Sequence, residues 1–447
     1  MIRASSALQP ATRLVVSVAT LSIGMATPLA ALDIDVDGNV EVEWRHFPSE
    51  GGMADGPLDL TPDTPDPQRE QSFGSVSGEL ELGFYAPSGR HAVVLKPFGR
   101  YDQHDHERSH MDLREAKYRY LRGPFELTLG VDKEFWGVTE FLHLVDIINQ
   151  TDAVESIDGE AKLGQLMAKL VYTSPYGTLS AYHLPHFRLR QFADPITGRP
   201  NYGYIVDDNT SLFESGETGG GARRVDDYAL RYKHTIGAFD FGLSWFDGTA
   251  REPQLLLDAS ADRLDNNLPV MQAFYSDFTQ AGLDAQATLG PWLLKLEAAH
   301  STQNRYQPPN GPAMLSSPLE EVEALRATGG FEYTFYNLFN SGTDLGLVTE
   351  YLWDEREADA PHPFGNELGI GFRWTANDVQ STAVLLGGFV DLDSDAVSLS
   401  LEAERRIGAS FKLTLEVRSQ QKQGDNDTFS AANEDEGFAR LRFGYYF

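Results

Sequence analysis

His104, Asp105, His106, Glu107 and His110 place five ligand-type side chains in a seven-residue stretch, and imidazole with carboxylate is a donor set that suits divalent transition metals. Arg108 stands among them and nothing flanking them suggests a rigid frame, so the stretch reads as a solvated loop tip. A second acidic set, Glu50, Asp55, Asp59, Asp63, Asp66 and Glu70, is spread through a proline-rich segment. It lacks the glycine and terminal glutamate of a calcium-binding EF-hand loop. Hydrolysis finds no better footing. No Gly-x-Ser-x-Gly elbow is present, and His143 with Asp146 offers proximity without a nucleophile. The chain holds no cysteine, which removes thiolate metal sites, thiol catalysis and disulfides. No catalytic residue, metal or cofactor is expected.

What remains is electrostatic. Charged residues of both signs recur at alternate positions: Glu115, Lys117 and Arg119; Arg231 and Lys233; Lys295 and Glu297; Arg373; Glu402 and Glu404; Lys412, Glu416 and Arg418; Arg440 and Arg442. Each run alternates with apolar side chains, as a β-strand with one wet and one greasy face requires. Such charges are tolerable only beside water or beside each other. On a pore wall, Lys117, Arg119, Arg231, Arg373, Glu416, Arg418, Arg440 and Arg442 would set a transverse field that orients polar solutes. Alternatively, opposite charges on neighbouring strands pair and stiffen the wall.

The elements that must carry these residues are strands. Clear alternation runs through Val40–Val42–Trp44, Leu80–Leu82–Phe84, Phe125–Leu127–Leu129–Val131, Phe239–Phe241–Leu243–Trp245, Leu368–Ile370–Phe372–Trp374 and Phe411–Leu413–Leu415–Val417. Tight-turn residues separate pairs of strands at Pro87–Arg90, Arg122–Pro124, Pro175–Gly177, Ile236–Ala238, Gly290–Pro291, Ala376–Asp378 and Ile407–Ala409. Longer stretches lie between these turns, near 48–73, 103–110, 134–162, 188–225, 249–275, 304–322, 355–366 and 421–436. Short turns alternating with long loops predict an up-and-down barrel of about 18 strands, a size at which the lumen can hold an aqueous channel.

Both ends of the chain fit that expectation. Arg3 and Arg13 precede an apolar run from Leu14 to Met25, followed by Pro28-Leu-Ala-Ala31, the pattern of a signal peptide spanning 1–31. Residues 32–447 then form one barrel domain. At the other end Ala439, Leu441, Phe443, Tyr445 and Phe447 share one face of a strand, with Arg440 and Arg442 on the opposite face. The formal net charge of -30 becomes -32 once two arginines leave with the signal, which disfavours nucleic acid as a partner.

This terminal strand, closing on Phe447 with aromatic residues two and four positions earlier, resembles that of Gram-negative outer-membrane β-barrel proteins of porin type. The resemblance implies an all-β transmembrane antiparallel barrel with short periplasmic turns and long extracellular loops, and contacts with outer-membrane lipid and lipopolysaccharide. It further implies insertion by the barrel-assembly machinery through the C-terminal strand, and admits a homotrimer. The segment from Lys133 to Ala153 carries Trp136, Phe141, Leu142, Leu144, Val145, Ile147 and Ile148, too apolar for a loop in water. Its Trp136-Gly137 followed by Asp146, Ile147-Ile148, Asn149 and Asp152 resembles a W-G…D-x-I-N-x-x-D stretch of porin-like proteins of largely unassigned substrate. That implies a constriction loop around 134–162, with Trp136, Asp146, Asn149 and Asp152 as its key residues. The two aspartates would line the bore and give it a mild cation preference. The expected function is passive diffusion of small hydrophilic solutes; the alternative is a plugged barrel serving as adhesin or scaffold.

Overall fold

The computed structural model describes residues 32–49, 70–156, 159–194, 198–199, 204–214, 223–258, 270–308, 313–356, 365–393, 396–421 and 437–447. The signal segment 1–31 and the acidic positions Glu50, Asp55, Asp59, Asp63 and Asp66 lie outside them.

Among the described residues twenty-one strands follow one another: β1 (Asp33–His46), β2 (Ser72–Tyr85), β3 (His91–Asp102), β4 (Met111–Arg122), β5 (Phe125–Asp132), β6 (Gln165–Ser174), β7 (Gly177–Phe187), β8 (Ile205–Phe213), β9 (Arg223–Ile236), β10 (Phe239–Thr249) and β11 (Gln254–Leu257). The series continues with β12 (Val270–Tyr275), β13 (Asp277–Leu289), β14 (Trp292–Tyr306), β15 (Leu319–Phe335), β16 (Asp344–Asp354), β17 (Asn366–Thr375), β18 (Ala383–Asp391), β19 (Val397–Ile407), β20 (Phe411–Gln421) and β21 (Phe438–Tyr446). Eighteen of them pair antiparallel with their neighbours in sequence, skipping β8, β11 and β12, and β21 pairs with β1 to close the ring. The closing register runs from Asn39 opposite Tyr446 to His46 opposite Ala439. Beyond it, Gly38 and Phe447 exchange backbone hydrogen bonds at 3.0 and 3.1 Å. A side chain at Gly38 would meet the Phe447 ring at 2.7 Å, so the terminal aromatic lies over bare backbone.

The alternation read from sequence is what sorts the two faces. Val40, Val42, Trp44, Leu166, Leu170, Leu243, Trp245, Leu441, Phe443 and Tyr445 all point outward and are exposed. A ring with this outer belt needs hydrocarbon around it rather than water. Aromatic pairs gather near the tight-turn end, among them Phe125 with Tyr172 at 5.0 Å and Trp292 with Tyr333 at 4.6 Å. Pro97, which has no N–H to give a ladder, falls at the β3 register shift between Lys96 and Pro97.

Connections at the end carrying both described termini run from two residues, as between β4 and β5, to eight, between β15 and β16. Gly237 and Gly408 take φ of 63° and 66° there, the left-handed conformation that tight turns demand. The eight-residue turn was not among those expected, and it holds Phe339 93 % exposed. The opposite end carries the longer connections, apart from 103–110 between β3 and β4 and 392–396 between β18 and β19. Two of those expected as loops contain structure of their own: β8, β12 and β11 form a small sheet, β12 parallel to β8 and antiparallel to β11. Phe187, Phe213, Ala273 and Tyr275 form its buried core.

Candidate functional site: the loop inside the barrel

The connection from β5 to β6 folds into the lumen over its described residues, 133–156 and 159–164. Asn149 staples its two ends: Nδ2 donates to the Asp132 and Leu163 carbonyls at 3.0 and 2.8 Å, and Oδ1 accepts the Glu134 N–H at 2.9 Å. Asp146 accepts the Trp136 N–H at 3.1 Å and lies 3.2 Å from Lys162 Nζ. Asp152 accepts the Glu155 N–H at 3.2 Å, turning the chain locally.

Two wall carboxylates capture the far part of the loop. Glu297 on β14 accepts Val138 N–H at 2.7 Å, Thr139 N–H at 3.1 Å and Thr139 Oγ1 at 2.7 Å. Gly137 has φ 134°, and a Cβ there would stand 2.8 Å from Glu297 Oε1, so the glycine after Trp136 is what lets the carboxylate approach. Glu350 on β16 accepts the N–H groups of Glu140 and Phe141 at 2.9 and 3.1 Å. The Glu140 carboxylate bridges Lys295 at 2.5 Å and Arg373 at 2.6 Å.

The loop splits the interior into unlike halves. Toward β6, β7, β9 and β10 it packs Trp136, Val145 and Ile148 on Met167, Tyr182, Leu184, Ala229 and Phe246, an apolar core inside the ring. Arg231 caps that core, its guanidinium 4.7 Å above the Trp136 ring and 2.8 Å from Asp284. Toward β1, β3, β20 and β21 a second seal is ionic. Arg45, Arg100, Arg108 and Arg440 interleave with Glu43, Asp102, Glu155 and Glu416, every side chain at most 8 % exposed. Arg100 grips Glu155 with two bonds of 2.7 and 2.9 Å, and Arg108 holds Glu43 at 2.8 Å and Asp102 at 3.0 Å. Four cations against four anions leave the cluster neutral, which is how charges tolerate burial.

A third set of charges keeps contact with water. Lys96, Lys117, Arg114, Arg373, Arg418 and Lys412 have side chains 20–35 % exposed. Lys117 pairs with Glu115 and Asp132, each at 2.5 Å, and Arg418 pairs with Glu402 at 2.9 Å and Glu416 at 2.8 Å. Arg119 and Arg442 are half-buried.

Of the residues expected to line a pore, Arg231, Glu416 and Arg440 are therefore sealed in ion pairs, while Lys117, Arg373 and Arg418 are paired yet wet. Asp146 and Asp152, expected to line the bore, are both buried and accept the loop's own N–H groups, while Asn149 is bonded at its base and Trp136 packed in its core. Burial pushes Asp146 above the usual carboxylate range although Lys162 opposes it, and raises Asp152, beside Glu155, likewise. For Glu140 burial is outweighed by Lys295 and Arg373, which hold its carboxyl below the ordinary value. Burial also works against a charge on His143, yet the hydrogen bond to Glu160 and the nearby Glu297 carboxylate raise it to about 9. The 103–110 connection is not a solvated tip either. Asp105 and Arg108 are 1 % and 0 % exposed, and Arg108 is a hub of the ionic seal. Among the described residues no group of three or more metal-ligating side chains converges.

No protein-family model matches the chain, and no curated protein does. Among solved structures, a BenF-like porin from Pseudomonas fluorescens Pf-5 aligns over 93 % of this chain and 98 % of its own, with a TM-score of 0.51 at 10 % identity. OccD3 (OpdP) of Pseudomonas aeruginosa aligns over 93 % and 90 %, with a TM-score of 0.49 at 10 % identity. Outer-membrane expressed OmpT of Vibrio cholerae follows, over 95 % and 99 %, with a TM-score of 0.42 at 11 % identity. The likeness to the BenF-like porin shows the fold, a porin-type barrel.

Proposed function

We propose that this chain is an outer-membrane channel through which small hydrophilic solutes diffuse passively, its bore narrowed by the loop 133–164. The observation that carries the reading is the half-wet charge of the third set: Lys117, Arg373, Arg418 and Lys412 remain 20–35 % exposed although they point into the ring. Ionised groups inside a membrane-embedded wall need water beside them, and a water path that reaches them is a path for polar solutes. Solutes would cross between paired charges of both signs, which favours a weakly selective bore.

In this reading a signal peptide at 1–31 directs export, the tight turns face the periplasm, and the longer connections meet lipopolysaccharide outside. The C-terminal strand engages the barrel-assembly machinery, and a homotrimer is compatible with the outer belt. No catalytic step is assigned to any residue.

A second reading has support of its own. The apolar core around Trp136 and the neutral ionic seal occupy much of the interior, as a plugged barrel acting as surface adhesin or scaffold would require. Single-channel recording of the full-length protein in a planar bilayer separates the two. Discrete conductance steps are expected for the channel; silence from protein whose folded state is verified by heat-modifiable mobility would replace it with the scaffold.

A further inference from the structure

We infer that Phe141 is the pin that fixes the size limit of the bore, seated in a notch built for it in the opposite wall. The inference rests on the channel reading above and adds a positioning residue to it.

Counting round the eighteen paired strands, with β8, β11 and β12 left out, β17 is nine places from β5 and β18 nine places from β6. The loop leaves β5 and returns to β6, and its tip meets β16, β17 and β18, so it crosses a full diameter. At the tip the wall is stripped of side chains. Gly369 and Gly371 on β17 and Gly387 on β18 all point inward, since Ile370, Phe372 and Leu386 are exposed on the outer face. Gly371 is registered directly opposite Gly387. A Cβ added at Gly369 would meet the Phe141 ring at 2.6 Å, and one at Gly371 or Gly387 would touch it at 3.5 Å. Phe389 completes the seat edge-on, with ring centroids 4.7 Å apart. Glycine inside a strand is unfavourable relative to alanine, and three on one inward patch are explained by the ring that covers them.

The seat is reinforced from both sides. Glu350 holds the Phe141 N–H at 3.1 Å, and Glu140, the residue before, is held by Lys295 and Arg373. These polar contacts orient the tip; only the ring fills the notch. With the ring seated, the loop is a bar fixed at both ends across the lumen. Unseated, the tip is left to its polar contacts alone with the notch open behind it, and solutes excluded by the bar can pass.

The test compares the full-length protein with Phe141→Ala, Gly369→Val and the double variant. Unitary conductance is read in planar bilayers, and the size limit by exclusion of polyethylene glycols of graded mass. Each variant's folded state is checked by heat-modifiable mobility. Loosening one end of a bar that divides the lumen should raise unitary conductance about twofold and admit larger polymers in both single variants. The double variant should match the singles, because both lesions empty the same seat. A merely structural role would lower the number of inserted barrels and leave the unitary conductance of each unchanged. If Gly369→Val fails to fold, Phe141→Ala decides. A conducting parent with an unchanged conductance and size limit in folded Phe141→Ala overturns the pin and spares the channel. A silent parent with a conducting Phe141→Ala supports the pin and overturns the open channel. Silence in both overturns both.

Discussion

Glu297 offers the sharpest test of how the loop is held. Its side chain is fully buried on β14 and accepts three hydrogen bonds of 2.7–3.1 Å from Val138 and Thr139, with Val145 N–H at 3.4 Å. A hydrogen bond to a charged acceptor contributes roughly 1.5–3 kcal/mol. Because bonds sharing one acceptor are not additive, Glu297→Ala should weaken local docking by about 3–6 kcal/mol. At about 1.4 kcal/mol per tenfold change, amide hydrogen exchange at Val138 and Thr139 should quicken by a factor of order 10² to 10⁴. Glu297→Gln keeps one acceptor oxygen and loses the charge, so a quickening of only about tenfold is expected. The Phe141 amide serves as an internal control, since it bonds to Glu350 instead. Exchange measured by mass spectrometry or NMR on the detergent-folded protein reads all of these positions. Unchanged protection at 138 and 139 in a folded Glu297→Ala barrel would refute the carboxylate clamp.

Two further outcomes are expected. His143, placed 3.1 Å from Glu160 and 3.8 Å from Glu297, should titrate near its raised value of about 9 in a ring-resonance NMR titration. As the folded value exceeds the ordinary 6.5, its charge contributes stability that is fully present below pH 6.5 and is lost as pH rises through about 9; a midpoint at 6.5 or lower would remove this contact from the account. Phe447→Ser, which strips the ring from Gly38, should lower the heat-modifiable barrel recovered from outer membranes severalfold while periplasmic export continues. Undiminished recovery would show that the terminal aromatic is not needed for insertion.

The barrel was legible in the sequence because its signals are local: a period of two, glycine and proline at fixed turns, and an aromatic last strand. The loop's inward fold was legible from its apolar residues alone. Its contacts were not. Glu140 and Phe141 find Glu350 about two hundred residues away, at separations of 210 and 209, and no local pattern announces that meeting. The glycines of β17 and β18 read only as small strand residues until Phe141 covers them. Acids within a loop suggested a lined bore, yet Asp146 and Asp152 are consumed by nearby backbone donors, a competition that spacing alone does not rank. Arg108 misled in the other direction, since an arginine among histidines looks solvated until Glu43 and Asp102 are brought to it by β1 and β3. The strands β8 and β12 pair in parallel across more than fifty intervening residues, which short-range alternation does not register.

The ionic seal has a bearing on how the ring is completed. Arg440 stands on the last strand, Glu43 and Arg45 on the first, and Glu155, whose carbonyl accepts from Arg440 at 3.3 Å and whose carboxylate holds Arg100, belongs to a loop made long before either edge meets the other. A seam slipped by one residue would turn Arg440 toward lipid and reverse every side chain of β21. Glu416 would then lose its buried partner and the Glu155 carbonyl its donor, and breaking a buried pair costs about 3–5 kcal/mol. The hydrogen-bond ladder of the seam cannot tell one register from its neighbour, since backbone amides are alike. The interior charges can, and they act as a proofreader of closure: only the correct meeting of the first and last strands turns Arg440 inward onto the Glu416 carboxylate and the Glu155 carbonyl.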